Sequence, residues 1–164
     1  MRVLSPWLIR GAGSADAPCR VICFHSMGIG ASLFTKFLLE PPEGCDVVAV
    51  QTPGRENRSA EPVAESIDQL ADQIVPHLLP LLDRPAVIWG HSLGGIVAWE
   101  VVRLLRERHR IEPAHFLVTG TAPPHLIVKW QKREVMLKAM VADGTYLNIL
   151  KHWGVETGAY TTGL

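Results

Sequence analysis

The chain has 164 residues, 16 Lys and Arg against 16 Asp and Glu, 48% apolar residues, 20% charged and 7% aromatic. That size and balance point to one folded globular domain. They exclude the basic surplus of a nucleic-acid binder and the low hydrophobicity of a disordered chain.

Residues 7–10 read as a weak leading strand, and residues 20–24 (RVICF), 46–51 (DVVAVQ), 86–89 (AVIW) and 115–119 (HFLVT) as short strands rich in β-branched residues. Because these runs are almost wholly apolar rather than alternating, they are expected to be covered on both faces, as in a parallel sheet. Helices are expected between them. A short one spans residues 31–39 and stops at Pro41-Pro42. One over 66–82 carries Ile67, Leu70, Ala71, Ile74 and Leu78 on one stripe, with Pro76 and Pro80 kinking or shortening it. One over 93–108 has its arginines late, where the helix dipole favours cations. The alternation implies an α/β fold with right-handed crossovers, with a sheet core over residues 1–122. Beyond Pro123 the pattern changes to two helical stretches, 129–142 and 145–153, and a tail without core periodicity.

No apolar run reaches the roughly 18 residues that span a bilayer, and residues 1–13 lack the apolar core of a secretory signal, so the expected address is cytoplasmic. Cys19, Cys23 and Cys45 have no CxxC spacing and read as buried thiols rather than disulfide or zinc partners. No cofactor or metal is implied.

Gly90-His91-Ser92-Leu93-Gly94 fits GxSxG and lies between a strand and a helix, the context its mechanism requires. Small residues on both sides of Ser92 allow a tight turn that lifts the nucleophile Oγ above the carboxyl end of the sheet and frees the Leu93 N–H for an oxyanion. The second donor is expected in the loop FHSMGIG after the strand RVICF, at Met27. The same loop keeps only two glycines of GxGxxG, so a dinucleotide site is not supported. Ser26 and His91, beside the two donors, count as substrate-binding positions. The His91 ring is expected to point away from Ser92 Oγ and to pack rather than act as base. His25, His109, His115 and His125 have no partner at metal-ligand spacing and read as ordinary core or surface histidines.

Taken together, the segments SPWLIR, CFHSMGIGASLF, VQTPGRENR, LLPLLDRPAVIWGHSLGGIVAWEVVRLL and HFLVTGTAPPH resemble, in this order and over about residues 5–125, the stand-alone type II thioesterases of polyketide and nonribosomal peptide synthesis. These are members of the α/β-hydrolase fold. The resemblance implies an α/β-hydrolase-like parallel sheet in the order DVVAVQ, RVICF, AVIW, HFLVT with flanking helices, incomplete at its C-terminal side, part of a helical lid in the region 123–164, and hydrolysis of acyl groups on the phosphopantetheine of an acyl or peptidyl carrier protein. Ser92 would be the nucleophile and the Leu93 and Met27 amides the oxyanion donors. The loop departs from the family's usual proline and paired glycines at His25 and at Gly28-Ile29.

The family places the acid and histidine of its triad on late strands, and this chain ends before them, so turnover is expected to be impaired. Asp143 and His152 have the right order, but they fall in the presumed lid and read as solvated residues. Two other readings share the elbow. One is a non-catalytic module that binds an acyl-pantetheine arm or a carrier protein; the other is an esterase or acyltransferase on small molecules. Arg55 and Glu56 in PGREN lie at the carboxyl end of a strand, suited either to pinning the loop or to touching substrate. Basic runs over 101–110 and 129–138 could dock an acidic carrier protein, although such runs more often form a solvated helix face.

Overall fold

The computed structural model describes residues 1–121. Six strands form one sheet in the order β1-β2-β4-β3-β5-β6: β1 (Arg2–Ser5), β2 (Leu8–Arg10), β3 (Cys19–Phe24), β4 (Cys45–Val50), β5 (Ala86–His91) and β6 (His115–Thr119). Pairings from β4 to β6 are parallel, in the expected order. The sheet is mixed rather than wholly parallel, because β1 and β2 form a hairpin that adds antiparallel to β4. Only β2 was foreseen. Arg2–Ser5 is too short and too polar to show a strand pattern, and it becomes one by pairing with its neighbour.

Helix α1 (Thr35–Leu39) follows a 3₁₀ turn over Ala31–Phe34. Helix α2 (Ile67–Leu78) is capped by Ser66, whose hydroxyl accepts from the Gln69 amide at 3.1 Å. Pro76 falls in its last turn, and the chain leaves as a 3₁₀ turn over Leu79–Leu81, so the prolines shorten this helix. Helix α3 spans Leu93–His109 and ends at Arg110 in the left-handed conformation.

Alternate residues of the central strands enter two cores. Ile22, Phe24, Val48, Val50 and Ile88 pack under α2 and α3, whereas Val21, Cys23, Val47 and Ala49 pack under Ala31, Phe34 and Leu38. This two-sided cover is why the runs look continuously apolar. β6 differs: His115, Leu117 and Thr119 are exposed, so among the described residues it is an outer strand covered on one face only.

The amino end of the sheet is closed by charge. Asp46, wholly buried, accepts from Arg20 Nε at 2.7 Å and forms an ion pair, without a hydrogen bond, with Arg10 Nε at 3.0 Å, and Arg20 Nη1 reaches Asp83 at 2.9 Å and the Leu81 carbonyl. Asp83, held by Arg84 and Arg20, titrates well below the usual carboxylate range. The LLDRP segment is thus a structural clamp at the end of the sheet away from the GxSxG turn. Of the cysteines only Cys23 is buried, and burial pushes its thiol up to about 12. Cys19 and Cys45 open adjacent strands, where the cover thins, and are half-buried free thiols in register with each other.

Candidate active site

The turn after β5 carries Ser92 at φ 54°, ψ −120°, a backbone region that disfavours side chains other than glycine. Neighbouring hydrogen bonds hold it there. Ser92 N–H donates to the Thr119 carbonyl at 2.7 Å, and Gly95 N–H donates to the Ser92 carbonyl at 2.9 Å. Such a conformation persists only when its surroundings over-determine it, and it leaves Ser92 half-buried at the carboxyl end of β5. Thr119 also ties down the residues on either side of Gly90: its hydroxyl lies 3.0 Å from Trp89 Nε1 and 3.0 Å from His91 Nδ1. The His91 ring therefore packs against β6 and Gly120.

Leu93 opens α3, so its N–H precedes the helical ladder. Phe24 at the end of β3 pairs in register with Gly90, and the loops carrying Met27 and Leu93 leave the sheet side by side. Gly94 brings them closer still. A Cβ there would lie 2.1 Å from the Phe24 carbonyl oxygen and 2.5 Å from that of His25, so only glycine lets α3 start this near β3. Among the described residues, neither the Met27 nor the Leu93 amide has an acceptor.

His25 proves to be a core residue with a structural task. Its Nδ1 donates to the Ser26 carbonyl at 2.8 Å, which leaves Nε2 to accept from the Thr52 hydroxyl at 3.0 Å. Burial lowers its pKa, and the nearby Arg55 adds to the effect, so the ring is neutral at pH 7. Both nitrogens are occupied, and the ring rigidifies the loop where the resemblance would place a proline. A narrow cavity beside it, lined by Phe24, Val50, Thr52, Leu93 and Val97 among others, holds about 30 Å³. That is room for one or two waters.

The PGREN segment folds onto the site loop rather than into open space. Glu56 accepts from the amides of Gly30 at 2.9 Å and Ser32 at 3.3 Å and from the Ser32 hydroxyl, while buried Arg55 donates to the Gly54 carbonyl at 2.9 Å. Glu56 thereby pins the loop. Two partners escaped the sequence reading. Gln51, wholly buried, accepts from Ala31 N–H at 2.7 Å, and Arg58 donates to the Gln51 carbonyl at 2.9 Å while stacking 4.4 Å over the Trp7 ring. This stack joins the segment SPWLIR to GRENR.

The basic run on α3 is largely neutralised. Arg103 pairs with Glu100 and Glu107, Arg106 with Glu112 at 3.1 Å, and Arg108 with Asp72 at 2.6 Å, the pattern of a solvated helix face. Asp143, His152, His125, the 129–138 basic run and the lid-like region lie outside the described residues.

The thioesterase domain family profile matches residues 19–149. The chain belongs to the thioesterase domain family. This thioesterase-family chain is 40% identical over 111 residues to the medium-chain S-acyl fatty acid synthase thioesterase of Rattus norvegicus, covering 67% of the chain and 42% of that relative. It superposes on RedJ, a thioesterase from the prodiginine pathway of Streptomyces coelicolor, with a TM-score of 0.71 and 29% identity, over 91% of the chain and 54% of RedJ. On YbtT, a type II thioesterase from the yersiniabactin NRPS/PKS pathway, the TM-score is 0.66 with 25% identity, over 96% of the chain and 61% of YbtT. The fold is thus that of the α/β-hydrolase thioesterases. The chain spans a little under half the length of the curated relatives it matches. No helix among the described residues is long and apolar enough to cross a membrane.

Proposed function

We propose that the chain acts as a thioester hydrolase on acyl groups carried by the phosphopantetheine arm of an acyl or peptidyl carrier protein, in the cytoplasm. The observation that supports this best is the turn at Ser92: a serine held at positive φ between β5 and α3, where Gly94 lets α3 start close to the Phe24 and His25 carbonyls; the oxyanion donors in this reading are the Leu93 and Met27 amides. In this reading Ser92 Oγ attacks the thioester carbonyl, and the two amides receive the negative charge that forms on its oxygen. Ser26 and His91 border the bound acyl-pantetheine. Family membership supports the reaction class, and similarity to YbtT supports a carrier-bound substrate.

The test is hydrolysis of an acyl-phosphopantetheinyl carrier protein by the chain and by Ser92→Ala. Turnover that is present in the chain and lost in Ser92→Ala is the expected result. Equal rates for the chain and Ser92→Ala would overturn the assignment of the nucleophile. Tight binding of the acyl-pantetheine without Ser92-dependent turnover would point instead to a binding module.

A further inference from the structure

We propose that Gln51 and Glu56 are positioning residues that hold the loop after β3, and with it the Met27 amide, in the geometry an oxyanion needs. The proposal rests on the thioesterase reading above and assigns a task to two side chains that reading does not use.

Residues 25–30 leave the sheet and enter a 3₁₀ turn whose first amides have no partner within the turn. Two side chains from the segment after β4 take them. Gln51 Oε1 receives Ala31 N–H at 2.7 Å, and Glu56 Oε1 receives Gly30 N–H at 2.9 Å, Ser32 N–H at 3.3 Å and the Ser32 hydroxyl. Gln51 is itself fixed at every polar group. Its Nε2 donates to the Arg55 carbonyl at 2.9 Å, its N–H donates to the Trp7 carbonyl at 2.8 Å, and its carbonyl accepts from Arg58. Glu56 stands at φ 46°, an unusual backbone state for a side chain, closed by Arg58 N–H to the Arg55 carbonyl at 2.7 Å and Ser59 N–H to the Glu56 carbonyl at 3.1 Å.

Gly30 shows how closely the loop is held. A Cβ there would fall 2.6 Å from Glu56 Cδ and 2.7 to 2.8 Å from the Gln51 amide group. At its other end the loop is tied through His25 to Thr52. The stretch 51–56 therefore grips both ends of the loop, and Met27 lies between the grips. What Glu56 supplies is an acceptor oxygen rather than a charge for the reaction, because a carboxylate would not favour a nearby oxyanion. Glutamine keeps that oxygen, so Glu56→Gln should rescue what Glu56→Ala loses.

The experiment uses the 164-residue chain, Glu56→Ala, Glu56→Gln and Gln51→Ala, with two readouts. Amide hydrogen exchange reports residues 25–32 directly. The second readout is the ³¹P resonance of Ser92 after reaction with an alkyl phosphonofluoridate. In that reaction the Oγ–P bond forms, the P–F bond breaks, fluoride leaves and the hydroxyl proton passes to buffer, so the phosphonyl oxygen lies at the oxyanion position. Glu56→Ala and Gln51→Ala are expected to speed exchange across 25–32 at least tenfold and to move the ³¹P resonance toward that of the unfolded adduct. Glu56→Gln should match the parent in both. Unchanged exchange overturns the proposal, as does faster exchange with an unmoved ³¹P resonance, or a Glu56→Gln that behaves like Glu56→Ala. If Ser92 takes no label in the parent, the hydrolase reading fails, and the exchange measurement alone decides whether Gln51 and Glu56 hold the loop.

Discussion

Gly94→Ala is the sharpest perturbation of the proposed oxyanion site, because it adds one carbon at the point where α3 meets β3. Ordinary contact begins near 3.4 Å, and the new Cβ would start 2.1 Å from the Phe24 carbonyl oxygen, so the two segments must part by about 1.3 Å. The obstacle is backbone, which cannot rotate away as a side chain could. Overpacking of this kind costs about 1–3 kcal/mol, and the better helix propensity of alanine returns about 1 kcal/mol, so the variant should still fold. Its chemistry should suffer more. The Leu93 amide moves with α3 and the Met27 amide stays with β3, and a misplacement of about 1 Å costs roughly 100-fold in rate. Phosphonylation of Ser92 by an alkyl phosphonofluoridate, followed by mass, measures this on the parent and on Gly94→Ala, with thermal melts of both as the stability control. A folded Gly94→Ala that labels within threefold of the parent would refute the argument that glycine sets the donor spacing.

Asp46→Ala leaves Arg20 buried with only half-exposed Asp83 and a carbonyl, and should cost about 3 kcal/mol, read as a lower urea midpoint at pH 7; a loss below about 1 kcal/mol would count against the clamp. Because burial lowers the pKa of His25, the unfolded chain takes up its proton first as pH falls. Its contribution is complete above the ordinary value of 6.5 and declines below it, so the melting temperature should drop between pH 7.5 and 5.5, and drop less in His25→Gln. β6 is the outer strand among the described residues and leaves Leu117 51% exposed, so the chain should self-associate with rising concentration and Leu117→Lys should reduce this in sedimentation; a monomer at all concentrations would show the edge to be covered.

The sequence by itself determined the central strands and the place of Ser92. Those features rest on local signals: continuous apolar runs for strands buried on both faces, a glycine-flanked serine between strand and helix, and a hydrophobic stripe over α2. Only the tertiary structure decided which polar residues serve the site. Gln51, Arg58 and Thr119 look unremarkable in the chain, because each acts on a partner brought to it by sheet pairing: Gln51 on Ala31, 20 residues away, and Thr119 on His91, 28 residues away. Arg2–Ser5 became a strand for the same reason. Periodicity records what a segment buries, whereas a hydrogen bond between distant segments depends on register and crossover, which no local window contains.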